Sequence, residues 1–128
     1  MKLYEYLFVF LVGGFAYSLT EILYRGETHW TMLITGGVVM MGLYFIRVKF
    51  SDYNIFMRLW FGTIWIIFVE FTVGLLVNII LGWNVWDYSD IWGNIMGQVC
   101  IVYGLLWYGI CIPAEILNKS IYNRFHNY

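Results

Sequence analysis

The stretch MRLWFGTIWIIFVEFTVGLLVNIIL, Met57 to Leu81, has one arginine at its start and a single carboxylate, Glu70, near its middle. A helix rises about 1.5 Å per residue and a bilayer core is about 30 Å thick, so roughly 20 apolar residues suffice to cross it. This stretch is long enough. Outward from it, residues 3–23, 31–48 and 94–116 are three further apolar runs, separated by polar segments at 24–30, 49–56 and 82–93. The chain therefore reads as an all-α membrane protein of four transmembrane helices in a bundle, with residues 1–128 forming one transmembrane domain. Lys2 and the apolar run behind it have some likeness to a signal peptide. Glu5 interrupts its start, no small-x-small cleavage pattern follows and the run continues to Leu23, so it is read as a retained first span.

Composition agrees with this class. Of 128 residues, 62% are hydrophobic and only 12% charged, a balance unsuited to a water-soluble domain of this size. Seven Lys and Arg against eight Asp and Glu leave no basic excess to neutralise nucleic-acid phosphates, so nucleic acid is not an expected partner. Cys100 and Cys111 are eleven positions apart in one apolar run, roughly 16 Å along a helix, too far to bridge each other. No Cys or His spacing resembles a zinc site, and no metal or cofactor is expected.

Lys2, Arg47, Lys49, Arg58, Lys119 and Arg124 fall at one end of the four spans and Arg25 alone at the other. The richer end is expected to be cytoplasmic, which puts both termini and the middle loop inside and argues against dual-topology insertion. Trp30, Trp83, Trp86 and Trp92 read as an outer aromatic belt, and Tyr4, Tyr6, Tyr44, Tyr53 and Trp60 as an inner one. Gly13-Gly14, Gly36-Gly37, Gly42, Gly74 and Gly97 read as points of close helix approach, and Pro113 as a kink or helix end.

Polar residues within the spans are the candidates for function, because hydrocarbon penalises an ionisable group by about 2.5–3.5 kcal/mol on insertion scales. Glu70 needs a partner from another helix, from water or from a second subunit. On a helical wheel it shares a face with Gly74 and Asn78. Glu21 stands one turn before Arg25, the favourable order for an ion pair, and Asn94 one turn before Gln98. With His29 and Asp87 from the two outer segments, Glu21, Arg25, Glu70, Asn78, Asn94 and Gln98 would line a polar pocket open to the outside. The plain alternative is that these groups satisfy one another: Glu21 with Arg25, Asn78 with Gln98, the loop residues with water. An interface with another protein is a third reading. His29 reads more simply as a surface or capping residue, a metal site from Glu27, His29, Asp87 and Asp90 has no specific spacing, and Glu115 is expected to meet water. No phosphate-cradling loop, nucleophile elbow or Cys-His pair is present, so the chain is not expected to hydrolyse ATP itself.

Several motifs run through the chain: Tyr24-Arg25-Gly26-Glu27-Thr28-His29-Trp30, Gly36-Gly37, Glu70 with Gly74 and Asn78, Trp86-Asp87-Tyr88-Ser89, and Asn94 with Gly97-Gln98. Together they resemble a family of small bacterial membrane proteins labelled type IV ABC-transporter proteins, over nearly the whole length. The resemblance implies a multi-pass protein of the bacterial cytoplasmic membrane and a permease partnered by a separate ATPase subunit. A transport component acting as an oligomer or with a partner is thus the leading expectation. A membrane-embedded enzyme, with Glu21 or Asp87 as acid or base and His29 assisting, and a non-catalytic binding or regulatory protein remain beside it.

Overall fold

The computed structural model describes residues 3–26 and 29–126, with the backbone alone of Tyr24 and Arg25. Helix α1 spans Leu3–Arg25, α2 Trp30–Lys49 and α3 Ile55–Gly74, which runs on into π-helical turns over Leu75–Ile80. A short antiparallel hairpin, β1 Asn94–Ile95 and β2 Val99–Cys100, leads directly into α4, Ile101–His126. Among the described residues, four helices are long and apolar enough to cross a membrane, over Leu3–Leu23, Trp30–Lys49, Ile55–Ile80 and Ile101–His126.

Local chemistry sets the helix ends. Helix α1 closes at Gly26, whose φ of +81° suits glycine and whose N–H returns to the Ile22 carbonyl at 2.8 Å. His29 caps α2 by accepting from the Thr31 N–H, and Asn54 caps α3 by accepting from Met57 N–H at 2.9 Å. Arg47 and Lys49 occupy the last turn of α2, where cations offset the helix dipole.

Helix α2 packs on α1, α3 and α4. It meets α1 through paired glycines. A Cβ added to Gly13 would lie 2.7 Å from the Gly36 carbonyl oxygen, and one on Gly36 would lie 2.9 Å from that of Gly13. Small residues on both helices thus bring the two backbones together, where larger side chains would hold them apart. Val9, Val39, Met40, Leu43, Tyr44, Leu59, Ile66, Val69, Cys111 and Ile121 form the main core. Met32, Val77, Val85 and Trp86 form a second, smaller one. Large apolar side chains including Leu7, Phe15, Leu19, Ile64, Phe68, Leu105 and Ile116 are exposed, as the outer surface of a helix set in lipid requires.

The fourth span departs from the hydropathy reading. It begins at Ile101 and not at Asn94, and it extends ten residues beyond Ile116, to His126. Residues 94–100 instead turn back on themselves. The Ile95 carbonyl accepts from Gln98 N–H at 3.1 Å across a turn whose central residues, Met96 and Gly97, both have positive φ. That backbone cannot continue a right-handed helix, so Asn94 and Gln98 are not one helical turn apart. Pro113 ends nothing. It sits inside α4, where its missing N–H costs the Gly109 carbonyl its helical partner. At 26 residues α4 is about 39 Å long, more than a bilayer core needs.

The start of α1 and the close of α4 lie at the same end of the helices, because His126 meets Glu5. This end also carries Arg47, Lys49, Arg58, Lys119 and Arg124 and is called the basic end; the opposite one, with residues 82–100, is the loop end.

Candidate functional site

Glu70 is 2% exposed although it lies within the third span. Its carboxylate accepts from Tyr17 Oη of α1 at 3.2 Å and from Trp107 Nε1 of α4 at 3.2 Å. The two donor rings stack on each other with centroids 5.9 Å apart. Three helices therefore converge on one carboxyl group, and both bonds are longer than the 2.7–2.9 Å usual for strong charge-assisted pairs. Glu21 lies close enough to act on Glu70 electrostatically, and so does Tyr88 of the loop. Burial keeps the Tyr88 phenol well above its ordinary pKa, and its ring stacks on Tyr103 at 4.9 Å. Tyr88 belongs to a motif already marked in the sequence, whereas Tyr17 and Trp107 on Glu70, and Tyr103 behind Tyr88, were not singled out; only their aromatic type and helix phase could have marked them.

One helical step outward the polar groups are bonded to one another and to backbone. Gly74 and Asn78 share the buried face with Glu70, as the wheel suggests. A Cβ on Gly74 would lie 2.5 Å from Gln98 Oε1, so glycine makes room for that amide. Asn78 Nδ2 donates to Gln98 Oε1 at 2.8 Å, while Asn78 Oδ1 accepts from the Val85 N–H at 2.6 Å and the Trp86 N–H at 3.3 Å. Gln98 Nε2 donates to the Met96 carbonyl at 2.9 Å, and Trp86 Nε1 donates to the Gln98 carbonyl at 3.0 Å. Residues 83–100 are thereby folded into a cap pinned to the π-helical turns of the third span. Trp86 is part of this cap, buried with its N–H partnered, and not a member of an interfacial belt as Trp30, Trp83 and Trp92, all exposed, can be.

Asn94, Asp87 and His29 make local contacts. Asn94 Nδ2 donates to the Ser89 and Ile91 carbonyls at 3.2 and 2.9 Å, and its Oδ1 accepts from Gly97 N–H at 3.0 Å. Asp87 is exposed, and bonds from the Ser89 hydroxyl and amide hold its carboxyl below the ordinary carboxylate range. His29 Nδ1 lies 2.7 Å from Thr31 Oγ1, and its ring clusters with Trp30 and Trp83. The Arg25 side chain, Glu27 and Thr28 lie outside the described residues, and with them the expected Glu21–Arg25 ion pair. Among the described residues, no group of three or more His, Cys, Asp or Glu gathers as metal ligands would.

The basic end holds two further clusters. Glu5, noted in the sequence only as a break in an apolar run, is buried and accepts from Tyr44 Oη and lies 3.2 Å from His126 Nε2. Tyr44 is fully buried in the main core with its hydroxyl partnered by that bond, and does not belong to an inner belt. Glu115, expected to meet water, is held by arginines: Arg58 reaches its Oε1 from Nη2 at 2.5 Å and from Nε at 2.6 Å, with Arg47 Nε 3.5 Å away. Arg58 also donates to the carbonyls of Phe50, Ser51 and Tyr53, tying the turn between α2 and α3 to α4.

Four membrane-length helices with a carboxylate buried among them define a multi-pass membrane protein. The model of a family described as "Putative ABC-transporter type IV" matches residues 8–127, and the chain belongs to that family. Comparison with curated proteins gave no match, and comparison with solved structures gave none either.

Proposed function

We propose that this chain is the membrane-spanning component of a bacterial cytoplasmic-membrane transporter, working with a separate ATPase subunit or with further copies of itself. The observation that carries the reading is Glu70, a carboxylate inside the third span held by two long bonds from two other helices. A buried ionisable group in a span is costly and marks a path or a site more often than a packing element. In this reading the transported or sensed ligand reaches Glu70 from the loop end, which faces outward, with both termini and the turn at 50–54 in the cytoplasm. Glu21 and Tyr88 border the site. Asn78 and Gln98 hold the cap over it, while Arg25, His29, Asp87 and Asn94 shape the entrance. Four helices are few for alternating access, which is why a partner or a second copy belongs to the proposal.

The test is purification from native membranes in a mild detergent, followed by ATP hydrolysis measured on the sized complex. An ATP-hydrolysing subunit or further copies of the chain should travel with it, and in a complex with an ATPase Glu70→Gln should change the hydrolysis rate while leaving the complex intact. A chain that elutes as a single copy with no ATPase, or a Glu70→Gln ATPase complex with unaltered turnover, would overturn the proposal.

A further inference from the structure

At the basic end, Arg47, Val48, Ser51, Lys119, Tyr122 and Asn123 line a cavity of about 210 Å³ between the end of α2 and the last turns of α4. Arg47 also lines a second cavity, of about 20 Å³, that runs inward past Arg58, Glu115 and Asn118. Two cations, Arg47 and Arg58, thus face the Glu115 carboxylate, and Arg58 is already on its Oε1. Asn118 is wholly buried, yet neither its Oδ1 nor its Nδ2 has a hydrogen-bond partner, and the same holds for Glu115 Oε2 and Arg47 Nε. Buried polar atoms in folded proteins are nearly all bonded, so four orphans around one small cavity mark a place built for something polar. The inner cavity is large enough for one water, which with these partners would link Asn118 and Glu115 to Arg47. The outer cavity is smaller than the roughly 300–1,000 Å³ of sites for drug-sized ligands, and its donors are a guanidinium, an ammonium, a hydroxyl, a phenol and an amide.

We infer that the cavity lined by Arg47, Ser51, Lys119, Tyr122 and Asn123 is a binding site for the phosphate group of an anionic ester. Arginine offers a planar fork that matches phosphate oxygens in pairs, and Lys119 adds a mobile point charge at the rim. Basic pockets between helices at the membrane boundary hold anionic lipid headgroups by this chemistry, and a water-soluble phosphate ester would use the same donors. The site is separate from Glu70, and the inference does not depend on which side of the membrane the basic end faces.

Native mass spectrometry and thermal unfolding of the purified full chain in detergent provide the test, with phosphatidylglycerol, phosphatidylcholine and glycerol phosphate as probes. Phosphatidylglycerol should bind and raise the unfolding temperature, and phosphatidylcholine, whose choline compensates its phosphate, should do so far less. Protection by glycerol phosphate alone would identify a soluble ester as the ligand, and protection by phosphatidylglycerol alone a lipid. Lys119 is exposed, so Lys119→Gln should fold normally and weaken binding about fivefold, with Arg47→Gln weakening it at least as much. Arg47→Lys, which keeps the charge but removes the fork, covers the case in which Arg47→Gln does not fold. Equal binding of the two lipids with no response to glycerol phosphate, or unchanged affinity in Lys119→Gln and Arg47→Lys, would overturn the inference.

Discussion

Replacing Asn78 by alanine should release the loop-end cap while the four helices stay folded. Asn78 satisfies three groups at once: the Val85 and Trp86 amides and the Gln98 side-chain oxygen. Losing a partner inside a protein costs about 1–3 kcal/mol per stranded group, whereas side-chain bonds within membranes average only about 0.6 kcal/mol in double-mutant cycles. The Val85 bond at 2.6 Å belongs near the upper scale and the Trp86 bond at 3.3 Å near the lower. Together the three sum to about 2–4 kcal/mol for opening residues 83–100. At 1.4 kcal/mol per factor of ten, the Val85 and Trp86 amides should exchange roughly 30- to 700-fold faster in Asn78→Ala. Hydrogen exchange read by mass spectrometry on the detergent-solubilised chain measures this directly, with peptides from α2 as the internal reference. A cycle adding Gln98→Ala should give a coupling of about 0.6–1.7 kcal/mol between the two amides. Unchanged exchange at Val85 and Trp86, or acceleration spread evenly over the helices, would refute the reasoning that Asn78 pins the cap locally.

Gly36→Val should lower the thermal midpoint sharply, by about 1–3 kcal/mol or more of stability, because its Cβ would press within 2.9 Å of the Gly13 carbonyl; Gly109→Ala, with open space around it, should leave the midpoint unchanged or raised. Met96→Asn should slow exchange of the Gln98 amide by stabilising the hairpin up to about 1 kcal/mol, since Asn tolerates the positive φ that Met96 now adopts. In a background lacking Cys100 and Cys111, a cysteine at Ser89 should react with an impermeant thiol reagent from outside the cell and one at Ser51 should not; the reverse pattern would contradict the orientation drawn from basic residues. His126→Ala should loosen the end of α4 from α1, seen as faster exchange over residues 118–126, because it removes the contact to buried Glu5.

Three of the four spans are legible in the sequence because hydropathy and length are one-dimensional properties. Residues 3–23, 31–48 and 57–81 all lie within two residues of the observed spans at their outer limits. The fourth is legible as a span but not in its bounds, since Ile95, Met96, Val99 and Cys100 are as apolar as a helix in lipid requires. What separates them from α4 is backbone chemistry: a positive φ at Met96, a glycine after it and the Asn94 side chain bonded to Gly97 N–H. The signal was the Asn94 to Gly97 spacing, easily lost inside an apolar run. Tyr44 and Trp86 are misread as belt residues for a related reason. A belt assignment follows from position alone, whereas burial follows from whether a polar atom finds a partner, and Glu5 and the Gln98 carbonyl supply those partners from distant parts of the chain.

Helix phase correctly places Glu70, Gly74 and Asn78 on one buried face, yet it cannot say which of them are structural. Distances separate them. Asn78 is held by three bonds as short as 2.6 Å, its partners include two backbone amides, and the proline-free loop folds around it. Glu70 has two neutral donors at 3.2 Å and no described cation within ion-pair distance. A carboxyl group held only by a phenol and an indole, both movable rings, can exchange those donors for a ligand's without unfolding a helix. Asn78 cannot do the same without exposing Val85 and Trp86. The polar residues at the loop end therefore divide in two, with Asn78, Asn94 and Gln98 building the cap and Glu70 beneath it left as the group able to take a ligand. The division has a measurable consequence: Glu70→Gln should leave exchange at Val85 and Trp86 as it is, while Asn78→Ala changes it and leaves the Tyr17–Trp107 stack in place. If Glu70→Gln frees the cap as much as Asn78→Ala does, Glu70 is part of the same structural network and the case for a separate site is lost.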